Sequence, residues 1–239
     1  MWTITYSCVY SGGIVAMSSV NIVAYTQAKV EAEDFIAYCA RVSNPENQNN
    51  SKTAPKLLAY LIKNQHWSPF EMASVTMEIV TTRDISRQIL RHRSFSFQEF
   101  SQRYAVSEDF SLREARLQDK KNRQNSVHLN PDSTKESAIE GHWYLQQAEI
   151  IKRAKEVYKW ALEEGIAKEQ ARAILPEGNT ETTVYMAGTL RSWIHYCQLR
   201  RANGTQLEHQ EIAEMCWKKL ESIYPNVIEA CESVEASSL

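Results

Sequence analysis

Polar and apolar residues alternate over Ala73–Thr81, with Val75, Met77 and Ile79 set against Ser74, Thr76 and Glu78. A period of two over that length is a strand with one face buried. Only Ser19–Tyr25 repeats the pattern well, with Val20, Ile22 and Ala24 against Asn21, Val23 and Tyr25. Most other patterned stretches have helical spacing: Lys29–Ser43, Pro55–Asn64, Thr82–Arg93, Ser137–Glu164, Lys168–Leu175, Thr183–Ala202 and Leu207–Tyr224. In the longest, Trp143, Ile150, Ala154, Val157, Ala161 and Leu162 mark the apolar stripe, and Gly165 ends the helix. Asn44–Thr53 reads as a polar loop. Glu108–Asn130 reads as a charged, irregular stretch with a short strand near Asn125–Leu129. Helices outweigh strands and the two do not alternate. The expected fold class is therefore α+β: a single, helix-rich domain with a small antiparallel sheet and surrounding helices.

A chain of 239 residues can bury such a core without disulfide or metal staples. It has only 7 glycines, and neither G-x-G-x-x-G nor G-x-x-x-x-G-K-[ST] occurs. The glycine-rich routes to dinucleotides and nucleoside triphosphates are thus closed. The net charge of -2 argues against a general polyanion binder. Residues 1–28 carry no Asp, Glu, Lys or Arg, but they lack the positive start of a signal peptide. No window approaches ~20 apolar residues, so a cytoplasmic protein without a membrane anchor is expected. Met17 opens a cleaner segment. Residues 1–17 are read as a peripheral extension, 18–225 as the domain and 226–239 as a C-terminal tail. The five cysteines, Cys8, Cys39, Cys197, Cys216 and Cys231, form no C-x-x-C. They read as small hydrophobes in a reducing compartment, with no metal site and no nucleophile.

The charge is nearly balanced in total and uneven in place. Residues 83–103 hold Arg83, Arg87, Arg91, Arg93 and Arg103, no lysine, and only two acids, Asp84 and Glu99. On one helix Arg83, Arg87 and Arg91 fall on one face, where like charges repel. The bland reading is a solvated basic face paired with acids elsewhere. The sharper one is an anion site, since guanidinium forks bind phosphate bidentately. Phe95, Phe97 and Phe100 alternate with polar groups immediately downstream. Such a segment buries its rings and presents hydroxyls, an amide and a carboxylate to a ligand. A nucleic-acid-binding protein is the competing reading, and both the net charge and Glu99 within the cluster oppose it.

Arg91-His92-Arg93, seven residues and then Ser101 match the R-H-R-x7-S signature of the flavin-dependent thymidylate synthases. The chain resembles that family well beyond the signature. Ala40-Arg41-Val42-Ser43, His66-Trp67-Ser68-Pro69-Phe70-Glu71 and Ala171-Arg172-Ala173-Ile174-Leu175-Pro176 are similar to family segments. So are Leu190–His195, Leu199-Arg200 and Gln206-Leu207-Glu208, in the same order over about residues 18–224. Met72 and Thr189 depart from the residues common in the family at their positions.

The resemblance implies conversion of dUMP to dTMP, with methylenetetrahydrofolate as carbon donor, FAD as cofactor and NADPH reducing the flavin. It implies a homotetramer with active sites between chains. By position, flavin contacts fall on His66, Ser68, Arg91, His92, Arg93, Glu99, Thr189, Leu190, Arg191 and His195. Nucleotide contacts fall on Gln88, Ile89, Leu90, Arg91, Glu99, Phe100, Ser101, Gln102, Arg103, Arg172 (from a neighbouring chain) and Arg200. Ser101, Arg103 and Arg172 suit the phosphate, and Arg200 faces the pyrimidine. The side-chain types agree with these roles. Arginine is no base at neutral pH, so Arg200 is the expected catalytic residue as a fixed cation that stabilises charge on the ring. Read without the resemblance, His66 is an ordinary cap or surface histidine.

Overall fold

Strand β2 (Ser74–Thr82) realises the alternation, with Val75, Met77 and Ile79 no more than 1% exposed. Its antiparallel neighbour β1 (Ser19–Tyr25) carries an irregularity between Ile22 and Ala24. On the other side lies β6 (Glu181–Thr189), paired Met77 to Met186 and Ile79 to Val184. β3 (Ser96–Glu99) completes an antiparallel sheet of order β1-β2-β6-β3. This computed structural model describes residues 18–237, so the expected extension 1–17 lies outside the described residues.

Helices close over one face of the sheet. α1 (Ala32–Ala40) and α2 (Ala54–Lys63) come first, α2 with Pro55 in its first turn and Leu58, Leu61 and Ile62 buried. α3 (Arg83–Ile89) leaves β2 directly. A two-stranded ribbon, β4 (Arg116–Gln118) with β5 (Ser126–His128), precedes the long α4 (Thr134–Glu163). The short α5 (Lys168–Ala171) leads to β6, and then come α6 (Leu190–Arg201), α7 (Leu207–Glu221) and α8 (Pro225–Ala236). Trp193, Tyr196, Trp217 and Tyr224 fill the core between these last helices and the sheet. The α+β architecture with a small antiparallel sheet is thus present.

Several elements differ from the sequence reading. Thr183–Ala202 is not one helix. It is β6 up to Thr189, followed by α6, whose first turn is capped when the Thr189 hydroxyl accepts from the Ser192 N–H at 3.3 Å. Thr182, Val184 and Met186 are buried at a period of two, and register against β2 decides the strand. The helix expected to run to Arg93 stops at Ile89 because the chain turns to enter β3. Residues 226–239, expected as a tail, supply most of α8, and its Val227, Ile228 and Cys231 belong to the core. The Glu33 carboxylate anchors the start of α8 by accepting the Val227 N–H at 2.9 Å. On α4 the buried stripe is Gln147, Ile151, Ala154, Tyr158 and Ala161, one step round from the expected one, which leaves Trp143 and Ile150 exposed.

Gly165 and Gly188 are each required by geometry. Gly165 ends α4 at φ +80°, the left-handed region that admits glycine without strain. Gly188 lies under the Phe95 ring, and a Cβ there would come within 2.4 Å of Phe95 Cδ1.

Candidate active site

The arginines of residues 83–103 divide into paired and unpaired groups. Arg83 is only 5% exposed. Its guanidinium lies 3.8 Å from Glu99 and 3.7 Å from Glu177, and its Nε and Nη1 have no hydrogen-bond partner. Arg87 bridges the same two carboxylates, at 3.5 Å to Glu99 and 3.0 Å to Glu177. Glu99 also accepts from the Ser86 hydroxyl at 2.7 Å and the Thr182 hydroxyl at 3.4 Å. Asp84 turns away to Arg113 at 2.9 Å. Acids from other elements therefore pair with both arginines of α3, as the bland reading has it, with Arg87 exposed and Arg83 buried. Arg91 and Arg93, beyond the end of α3, are exposed, and no ion pair engages them among the described residues.

Arg200 sits on the last turn of α6, and its Nε–H donates to His92 Nε2 at 2.9 Å. That bond requires an unprotonated Nε2. Burial, and secondly the Arg200 cation, lower the His92 pKa to about 4, so the ring is neutral and acts as an acceptor. The two Nη groups of Arg200 carry no hydrogen bond or ion pair among the described residues. They remain available to a ligand.

The start of α6 faces a second group of expected flavin residues. Arg191 pairs with Glu71, and the Ser192 hydroxyl donates to the Ser94 carbonyl at 3.4 Å. His195 stands edge-on to Trp67, with centroids 4.7 Å apart. Desolvation and then the Arg191 charge lower its pKa, which keeps it neutral. Ser68 opens a short 3-10 turn beside it, and exposed His66 meets the Tyr60 ring at 6.1 Å.

The remaining nucleotide residues are more scattered. Arg103 pairs with Glu169 at 3.1 Å, and Arg172 Nε donates to the Glu169 carbonyl at 3.3 Å, which brings two expected phosphate ligands to one residue. Ser101 and Leu90 are partly exposed, and Phe100 is exposed. The side chains of Ile89 and Leu190 are fully buried, so only their main chain can touch a ligand. Gln102 is buried and donates to the Ser107 hydroxyl at 3.0 Å. Thr189 uses its hydroxyl as the α6 cap. Cys197, Cys216 and Cys231 are fully buried, and burial pushes their thiols up, Cys231 to about 12, so none is a thiolate nucleophile.

The sequence reading passed over a polar chain behind Gln88. His209 is fully buried, with Nδ1 3.3 Å from Gln88 Oε1 and Nε2 3.1 Å from the Tyr196 hydroxyl. Gln206 and Glu208, which bond to Gln88 and to Arg113 and Arg116, extend it. Its only trace in the sequence was the Gln206-Leu207-Glu208 segment; nothing pointed to Arg113 as the partner.

On this α+β scaffold Arg91 and Arg93 flank a neutral His92 that bonds Arg200, and among the described residues their guanidinium groups are free to meet an anionic ligand. The family model described as thymidylate synthase complementing protein matches residues 21–226, and the chain belongs to that family. It is 49% identical over 221 residues to a probable flavin-dependent thymidylate synthase of Paramecium bursaria Chlorella virus 1, covering 90% of this chain and 100% of that one. It is 50% identical over 201 residues to the flavin-dependent thymidylate synthase of Synechocystis sp., covering 84% and 89%. Its fold is similar to that of a UMP/dUMP methylase, PolB from Streptomyces cacaoi, bound with 5-Br dUMP, at a TM-score of 0.78 and 26% identity over 91% of this chain and 96% of that one.

Proposed function

We propose that the chain makes dTMP from dUMP with FAD as its flavin, methylenetetrahydrofolate as carbon donor and NADPH as reductant, in cytoplasmic homotetramers whose active sites are shared between chains. The family, the flavin-dependent relatives and the dUMP-bound methylase fold support the core of this reading. The observation that carries it is the set of guanidinium groups without ion-pair partners among the described residues: Arg91 and Arg93, which flank His92 in the chain, and the Nη atoms of Arg200, whose Nε–H bonds to His92.

These residues fit an anionic flavin and a nucleotide. Arg91 and Arg93 hold the cofactor phosphates, with His66, Ser68, Thr189, Arg191 and His195 around it. Arg103 and Arg172 leave their weak exposed contacts with Glu169 for the nucleotide phosphate, which Ser101 also contacts. Gln88 and Glu99 position the nucleoside, and Ile89, Leu90 and Gln102 contribute main chain. When bound, the flavin supplies the hydride. Arg200 stabilises the negative charge that develops on the pyrimidine, because its cation is fixed before the reaction begins.

The test is direct. Purified protein supplied with FAD acquires flavin absorbance in the visible, and with dUMP, methylenetetrahydrofolate and NADPH it forms dTMP. Protein that stays colourless and does not bind dUMP overturns the reading.

A further inference from the structure

Four hydrogen bonds behind the site all point the same way. Glu208 is flanked by Arg113 at 3.1 Å and Arg116 at 2.5 Å. Burial pushes its carboxyl up, but those cations with the backbone and Gln206 hydrogen bonds outweigh it and hold the group ionised. A carboxylate only accepts, so it fixes the amide of Gln206 with Nε2 donating to it at 3.0 Å. Gln206 Oε1 is then an acceptor and takes the Gln88 Nε2–H at 2.8 Å. Gln88 Oε1 must in turn accept, so the proton of His209 lies on Nδ1 and its bare Nε2 accepts from the Tyr196 hydroxyl. Tyr196 is buried, which raises its pKa well above 10.0 and keeps that proton in place. Its ring meets His92 edge-on at 4.8 Å, and His92 is the acceptor for Arg200.

We infer that His209 is a positioning residue for Arg200, acting through Tyr196 to hold the His92 ring with its bare nitrogen toward the Arg200 Nε–H. The assignment rests on the proposed role of Arg200. It extends the site behind Gln88 to a buried histidine, an ion-paired glutamate and Gln206, none of which needs contact with the pyrimidine. The physical logic is a choice of edge. If the His92 ring turns over, the carbon Cε1 takes the place of Nε2 and leaves the Arg200 Nε–H without an acceptor. The bond is then lost and the Arg200 fork loses its fixed plane. The Tyr196 ring, pinned by its hydroxyl to His209, blocks that turn.

Three variants separate the links: Tyr196→Phe removes only the hydroxyl, His209→Asn keeps a donor toward Gln88, and His209→Gln keeps an acceptor toward Tyr196. On FAD-loaded enzyme, Tyr196→Phe and His209→Asn are each expected to lower kcat about tenfold while the dUMP Kd stays within about twofold. The double variant Tyr196→Phe/His209→Asn falls no further than the worse single one, and His209→Gln retains most of kcat. Nitrogen-15 NMR of the wild type reads the proton of both His209 and His92 on Nδ1. Single variants within about twofold of wild-type kcat, additive losses, an effect confined to KM, or His209 protonated on Nε2 would each overturn the inference. The tautomer measurement requires no turnover, so it judges the chain of bonds even if the wild type makes no dTMP. That second failure would refute the proposed activity instead. Should the His209 variants not fold, Tyr196→Phe and the tautomers decide.

Discussion

Arg200 and His92 form a pair in which one partner can only donate and the other, at neutral pH, accepts. A lysine at 200 keeps the charge and loses the planar fork. Arg200→Lys is therefore expected to retain dUMP binding, read by titration, and to lose about 10²-fold in turnover, a loss like that of one preorganised charge-stabilising donor. The two buried imidazoles also set an acid limit. In the unfolded chain both titrate near 6.5, whereas in the fold His92 titrates at about 4 and His209 at about 3. For His209 the causes are burial, then Arg200, then His92. Between those values the unfolded state binds more protons, so these groups make stability fall as pH drops from about 7 toward 4. Tm measured across that range should decline with a shallower slope in His209→Gln than in the wild type. An equal slope would show that His209 titrates normally in the fold.

At the scale of elements, β6 and α6 join without a loop, and their junction positions Thr189, Leu190, Arg191 and His195 of the expected flavin residues. Gly188 makes the junction possible because the Phe95 ring occupies the volume of any Cβ there. That ring is itself held by Trp193 at 4.9 Å and Tyr196 at 5.9 Å, so it has little freedom to yield. Gly188→Ala is expected to cost about 1–3 kcal/mol in urea unfolding, the ordinary range for overpacking a dense core. An unchanged midpoint would mean that Phe95 relaxes into free space. The edge of α3 follows the same logic. Arg83 and Arg87 are absorbed by Glu99 and Glu177, and the residues left for anions lie beyond the helix end. A helical-wheel argument could not separate those groups, because it sees spacing along one element and not the acids that another element brings to it.

For the whole molecule, the proposed tetramer with shared sites makes a prediction that no single-site variant can. Arg172→Ala and Arg200→Lys chains, each strongly impaired alone, should regain part of the dTMP-forming activity when unfolded and refolded together. Mixing restores complete sites only if the two residues come from different chains. No recovery would place both residues of a site on one chain. The sequence by itself determined the class of fold, since a period of two at β2 and a period of 3.6 across long helices leave few other ways to bury the apolar faces. It also determined the family, through Arg91-His92-Arg93 and Ser101. It did not show that Thr183–Thr189 is a strand, that α8 belongs to the core or which arginines are free. Those depend on partners far away in the chain, such as the 90-residue separation of Arg87 from Glu177 and the 121-residue separation of His209 from Gln88. Strand register and ion pairing are set by what the folded chain brings within a few ångströms, and only the tertiary structure supplies that.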